Sequence, residues 1–270
     1  MEKKKSYGAL IVGAILLIAG IIFSVIAYNT SYQESKLAQD AAAKLELQRP
    51  YSYGLTTTFF ALLLTIKGII NAVVGVKPAA KADLRKLTQA GLLAALCYIG
   101  FAFMKFDIPV GPEKTAFHLG NVFCVLAALL LGGYWGGLAG AVGMTIADLT
   151  TTYVTSAPKT FLLKLCIGLI VGFVAHKLFK LTQEHDKKYT TIATIVSCSL
   201  GMAFNIVADP LVGYFYKMYL LGVPQDISAA LAKMGAITTS VNAVVAVIFA
   251  SVIYFALRPA MKKAGLFVEI

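Results

Sequence analysis

Long apolar runs separated by short polar or basic stretches set the rhythm of this chain. About eight runs reach the ~20 apolar residues that a helix needs to cross a hydrocarbon core of ~30 Å. They lie near Tyr7–Tyr28, Ser52–Val76, Leu87–Phe106, Leu119–Tyr134, Gly136–Tyr153, Thr160–Phe179, Thr190–Leu220 and Ile227–Leu257. A backbone group left unpaired in lipid is unfavourable by several kcal/mol, so such runs predict helices. The first two are joined by a polar segment expected to hold a short helix ending at Pro50, and "KPAAKADLRK" then marks a module boundary. This divides the chain into residues 1–80, an extension with two spans, and residues 81–270, a core with six. The seventh run contains Pro210, whose missing N–H should bend the helix. Because a break at membrane depth is tolerated only against protein or water, Asp209 and Pro210 are expected to face an internal cavity.

Composition agrees with a polytopic all-α membrane protein: of 270 residues, 59% are hydrophobic and 14% charged, and mean hydropathy is +0.78. The net charge of +11 does not point to nucleic acid, because the basic residues flank apolar runs instead of covering a polar domain. With the N-terminus in the cytoplasm, the inner segments carry Lys3, Lys4, Lys5, Lys77, Lys81, Arg85, Lys86, Lys177, Lys180, Lys187, Lys188, Arg258, Lys262 and Lys263. The outer segments carry fewer cations, mostly offset by acids, so both termini are expected on the cytoplasmic side. The N-terminal run is long enough to span and reads as a retained anchor, not a cleaved signal. Cys97, Cys124, Cys166 and Cys198 lie apart in apolar runs and read as buried small hydrophobes. No HExxH or clustered His/Cys spacing points to a metal, no phosphate loop to a nucleotide, and no cofactor is expected.

Ionisable residues inside spans carry most of the functional information, since a mid-membrane charge is unfavourable by ~2.5 kcal/mol or more and turns toward a cavity. Asp148, Lys164 and Asp209 meet this description, all in the half of the membrane expected to be outer. Asn121, Asn205 and Asn242 sit at similar depth and, with His118 and Tyr153, are candidates to line one small-molecule pocket. Two blander roles stand beside this one: Asp148 and Lys164 neutralising each other, and Asn205 or Asn242 bonding a neighbouring helix. "FDIPVGPEKTAFHLGN", Phe106–Asn121, is too rich in prolines, glycines and charges for a plain connector. The glycines between Gly132 and Gly143, and Gly168 with Gly172, are expected to let helices approach closely, and Ala90 with Ala94 and Gly91 with Ala95 form a second small-residue stripe.

From Leu87 to Leu257 the chain resembles the substrate-binding (S) component of an energy-coupling factor (ECF) vitamin transporter, closest to the riboflavin-type and hydroxymethylpyrimidine-type branch. The resemblance rests on "LTQAGLLAAL", "FDIPVGP", "AFHLGNVFCVLAALLLGGYWGGLAGAVGMTIADLTTTYVTSAPKTFLLKLCIGLIVGF" and the "GYF" at Gly213–Phe215. It implies a six-helix S-component core, here preceded by two extra transmembrane helices that compact members lack. It also implies capture of a vitamin or precursor of the riboflavin, hydroxymethylpyrimidine or pyridoxine class at the outer face. The partners it implies are a transmembrane coupling protein, contacted through Ala90 and Ala94, and two cytoplasmic ATPases. Phe106–Asn121 would then be a lid stiffened by Pro109 and Pro112, presenting His118 and Asn121 to the ligand. The rival readings are a self-sufficient carrier coupled to ions through Asp148 and Asp209, and an intramembrane enzyme. The second lacks a GxSxG, HExxH or paired-acid signature.

Overall fold

The computed structural model describes residues 7–38, 41–74, 84–110 and 113–267. Most of the basic link expected around residues 77–83, the N-terminal lysines and Pro112 lie outside them. Six helical stretches are long and apolar enough to cross a membrane, and together they establish a polytopic all-α protein. The chain divides into two compact units, the first running to residue 82 and including Asp148–Pro158, the second made of Asp83–Ala147 with the chain from Lys159 onward.

In the first unit, helix α1 (Gly8–Ala27) runs through a π-turn, Tyr28–Tyr32, into the short α2 (Gln33–Ser35) and pairs with α3 (Ala41–Val74). The pairing is antiparallel and close: Gly13 lies against Thr65, Gly20 against Thr58, Gly54 against Ser24 and Gly68 against Leu10. Without a hydrophobic force between helices in lipid, such small residues let dispersion and short polar contacts do the holding. Ser24 Oγ donates to Gly20 O at 2.7 Å and lies 3.3 Å from Thr58 Oγ1. The expected short helix ending at Pro50 is not what forms. Instead α3 runs on through Pro50, losing one backbone bond while keeping Tyr51 packed between Tyr28 and Tyr32, with ring centroids at 5.1 and 4.7 Å. The 3-10 turn Val154–Ser156 also packs on α3.

The second unit begins with α4 (Leu84–Ala102) and continues into the hairpin of β1 (Lys105–Val110) and β2 (Glu113–His118). There follow α5 (Gly120–Thr150), α6 (Ala157–Gly172), α7 (Lys187–Phe215) and α8 (Gln225–Lys263), the last residues of α5 and the first of α6 belonging to the first unit. Within α5 the backbone breaks at Gly132, where φ is 80° and ψ 174°, a conformation open essentially to glycine alone. The chain turns back there, so Gly136 meets Ala128 and Gly140 meets Cys124 in an antiparallel helical hairpin. Where the sequence suggested two spans meeting at Tyr134–Gly136, the chain forms two arms that divide at Gly132. The first arm, about 12 residues, is only roughly 18 Å long.

With α5 counted as two arms, α4 through α8 supply six helical segments. Close approaches tie them: Gly143 packs on the carbonyl of Ala94, Gly168 on Gly137 and Gly172 on Gly133. Cys124, Val125, Ala127, Ala128 and Leu129 are fully buried, which makes the first arm of α5 the centre of this unit. Cys97, Cys124 and Cys198 are buried free thiols, whereas Cys166 is only half-buried.

Candidate functional site

Across the stretch Phe106–Asn121, the strands Lys105–Val110 and Glu113–His118 form a β-hairpin and not an irregular loop. Its strands pair from Lys105 with His118 to Val110 with Glu113. An isolated two-stranded hairpin is marginal in stability, and this one is fastened to its surroundings at four points. Asn242 of α8 does the most: its Oδ1 accepts from His118 N at 3.0 Å and its Nδ2 donates to Ala116 O at 3.0 Å. The amide therefore extends the edge of β2 as a third strand would. Thr115 Oγ1 lies 2.9 Å from Thr238 Oγ1, and Lys217 Nζ lies 3.3 Å from a carboxylate oxygen of Glu113. At the hairpin base the His118 ring meets Phe101 edge-on at 4.8 Å.

Behind His118 the chain enters α5, and the polar groups there are buried more deeply than their bonding explains. Asn121 is 1% exposed and Thr145 4% exposed. Among the described residues, Asn121 Oδ1, Thr145 Oγ1 and His118 Nδ1 are buried without a hydrogen-bond partner. A buried polar atom left unpaired is unfavourable by roughly 1–3 kcal/mol. Three of them, at the base of the hairpin and on the two arms of α5, argue for a group, supplied from outside the chain, that completes them.

Lys164 of α6 is 6% exposed, and its Nζ lies 3.5 Å from Asn205 Oδ1 on α7. Its charge reaches His118: burial first, and the Lys164 ammonium second, push the imidazole down to a pKa of about 3. His118 is therefore neutral, and its Nδ1 can accept or donate according to tautomer. Asp209 is engaged by the protein itself. Lys159 Nζ lies 2.8 Å from its Oδ1, and Thr239 Oγ1 donates to its Oδ2 at 3.3 Å.

His118, Asn121, Lys164, Asn205, Asp209 and Asn242 thus all belong to the second unit, brought there by the hairpin, α5, α6, α7 and α8. Asp148, 1% exposed near the end of α5, and Tyr153, half-buried in the turn after it, fall in the first unit. Sequence reasoning missed Thr145, Lys159 and Thr239. A helical threonine ordinarily returns its hydroxyl to a carbonyl one turn back, so Thr145 in "GMTIAD" gave no signal. Lys159 counted only as one of the outer-segment cations that are mostly offset by acids. Among the described residues no group of His, Cys, Asp or Glu is arranged to hold a metal.

On α4, Ala90 is buried within the unit and Ala94 is half-covered by α5, whereas Gly91 and Ala95 are exposed. The outward-facing half of the small-residue stripe is the latter pair.

Residues 81–259 match a family model, that of the ECF-type riboflavin transporter, S component. No curated protein and no solved structure matches the chain.

Proposed function

The chain belongs to the family of S components of ECF-type riboflavin transporters, and from that premise we propose that it captures a vitamin or vitamin precursor beneath the 105–118 hairpin. The ligand class is flavin, hydroxymethylpyrimidine or pyridoxine. As a family member the chain is a membrane-embedded transport subunit and not itself an enzyme. The observation that carries the reading is the set of unpartnered buried atoms at His118, Asn121 and Thr145, with the Lys164–Asn205 pair close in charge. A ring with carbonyls and ring nitrogens supplies the complementary donors and acceptors, and a few convergent polar groups in an apolar setting are what a small-molecule site needs.

In this reading the hairpin is the lid. Its attachments to α8 are polar and few, so opening it breaks the Asn242 and Thr238 contacts and leaves the helices intact. Lys164 and Asn205 fix the ligand's orientation, Asp209 holds Lys159 and Thr239 in place beside them, and Asn242 reports closure. The loaded subunit then docks through the exposed face of α4, Gly91 and Ala95 more than Ala90 and Ala94, on a transmembrane coupling protein driven by two cytoplasmic ATPases. The site faces outward and both termini lie in the cytoplasm. A self-sufficient carrier coupled through Asp209 fits less well, because Lys159 and Thr239 already occupy that carboxylate.

The test is mass spectrometry of the small molecules that copurify with the full chain in detergent, followed by binding of the identified compound to Asn121→Leu and Lys164→Met. Each variant is expected to weaken binding by about tenfold or more, since each leaves a ligand group unpaired. Unchanged binding in both, with folding intact, would remove the site.

A further inference from the structure

The other end of the second unit carries a cavity that the capture of a vitamin does not use. It measures about 790 Å³ and is lined by His176, Lys177, Lys180, Lys262, Glu184 and Phe267, among others. We propose that this cavity binds the phosphate headgroup of an anionic phospholipid at the membrane boundary.

Three observations converge on an anion. The lining holds three lysines against one glutamate. Lys262 is paired with Glu184, but the Glu184 side chain is 85% exposed and so stands on the rim. Lys177 and Lys180 form no ion pair among the described residues, and both are exposed. The backbone is also specially shaped at this place. The helix ahead of it loosens into a π-turn, Phe173–Leu178, and Lys180 takes a left-handed φ of 48°, which a residue with a β-carbon adopts only when its surroundings hold it there.

The surroundings do hold it. Arg258 Nη2 donates to the carbonyls of Leu181 and Gln183 at 3.0 and 3.1 Å, His185 lies 3.1 Å from Lys180 O, and His176 Nε2 lies 3.2 Å from Ala128 O. Arg85 and Gln89 of α4 donate to Gly265 O and Leu266 O, at 2.7 and 2.8 Å, and so fix the C-terminal wall. Phe267 in that wall stacks against the cations, with Lys262 Nζ 5.6 Å from its ring. A cavity whose loop and wall are both pinned, and in which Lys177 and Lys180 have no carboxylate paired with them among the described residues, is prepared for a phosphate.

Lipid is favoured over a soluble phosphate by position. The apolar stretch Val154–Leu178 ends at the cavity. Phe173 and Leu178, which flank His176 and Lys177 on the same π-turn, are 57% and 59% exposed. Acyl chains would lie along those side chains while the headgroup reached the lysines, as basic pockets at helix ends hold anionic lipids.

The experiment uses the full chain in detergent, with native mass spectrometry of phosphatidylglycerol and phosphatidylcholine binding. Phosphatidylglycerol is expected to be retained preferentially, and Lys177→Gln and Lys180→Gln each to weaken it about fivefold. The Lys177→Arg/Lys180→Arg pair, which keeps the charge, is expected to keep the lipid. Lys187→Gln/Lys188→Gln, at the same end but outside the lining, is expected to leave retention largely unchanged. Equal retention of the two lipids, or equal loss in the Lys187/Lys188 variant, would overturn the site in favour of diffuse attraction. Displacement of phosphatidylglycerol by millimolar inorganic phosphate would overturn the lipid assignment in favour of a soluble phosphate.

Discussion

Asn242 does with one side chain what a neighbouring strand would do, and that makes it the most testable residue near the hairpin. Replacing it with alanine leaves His118 N and Ala116 O without their partners, at a penalty of roughly 1–3 kcal/mol. Hydrogen exchange should then accelerate across residues 105–118 while α8 stays protected; unchanged exchange in the hairpin would mean the bonds do not hold it. His118 itself gives a pH signature. Burial lowers its pKa from 6.5 to about 3, so between those values the unfolded chain binds the proton and the folded chain does not. Stability is then whole above about pH 6.5 and falls as the pH drops toward 3. The thermal midpoint of His118→Gln should decline less between pH 6.5 and 4 than that of the parent, and parallel curves would show that the imidazole is not desolvated. The sequence pointed at both residues by depth and polarity, but depth cannot say which atom of an amide is occupied. That Asp209 is held by Lys159 was illegible for a related reason: the two are 50 positions apart, and only the packing of α6 on α7 makes them neighbours.

Elements were more legible than their joints. Apolar run length located most helix ends to within a few residues, because the requirement to pair every backbone group in lipid leaves few alternatives. However, α3 already begins at Ala41 and not Ser52, and α8 continues to Lys263 and not Leu257. The joints depend on backbone torsion. Two adjacent glycine pairs, Gly132–Gly133 and Gly136–Gly137, offered equivalent places to turn, and only the first of them takes a positive φ. The hairpin was hidden too, since β1 and β2 are short, and Pro109 and their charges weaken any alternating pattern. The turn at Gly132 can be probed against an open glycine on α4. Gly132→Ala forces a side chain into a φ of 80° with ψ of 174° and should destabilise by about 1–3 kcal/mol. Gly91→Ala meets nothing within 4 Å and should be neutral, or stabilising by up to about 1 kcal/mol through helix propensity. Thermal unfolding of the two variants in one detergent checks the contrast, and equal midpoints would contradict the backbone assigned to the break.

At the scale of the molecule, the proposed capture site and the proposed docking face lie on different parts of the second unit, and these should be separable by mutation. Gly91 and Ala95 lie on the exposed side of α4, while Ala90 and the carbonyl of Ala94 are packed inside against α5. A large side chain at Gly91 therefore has room in the isolated subunit and obstructs only what comes to lie on it. Gly91→Trp should leave binding of the copurified vitamin within about twofold, because none of the unpartnered atoms at His118, Asn121 and Thr145 is on that face. Uptake in cells that carry the coupling protein and its ATPases should fall on the order of tenfold or more, since a close small-residue contact cannot absorb an indole. Ala90→Trp, by contrast, should fail at the earlier step and lose folding, with binding and uptake declining together. If Gly91→Trp transported normally, the small stripe would be ordinary lipid-facing surface and the partner would have to grip the subunit elsewhere. If it lost binding as well as uptake, capture and delivery would not be the separate steps that the placement of the hairpin and α4 on this unit implies.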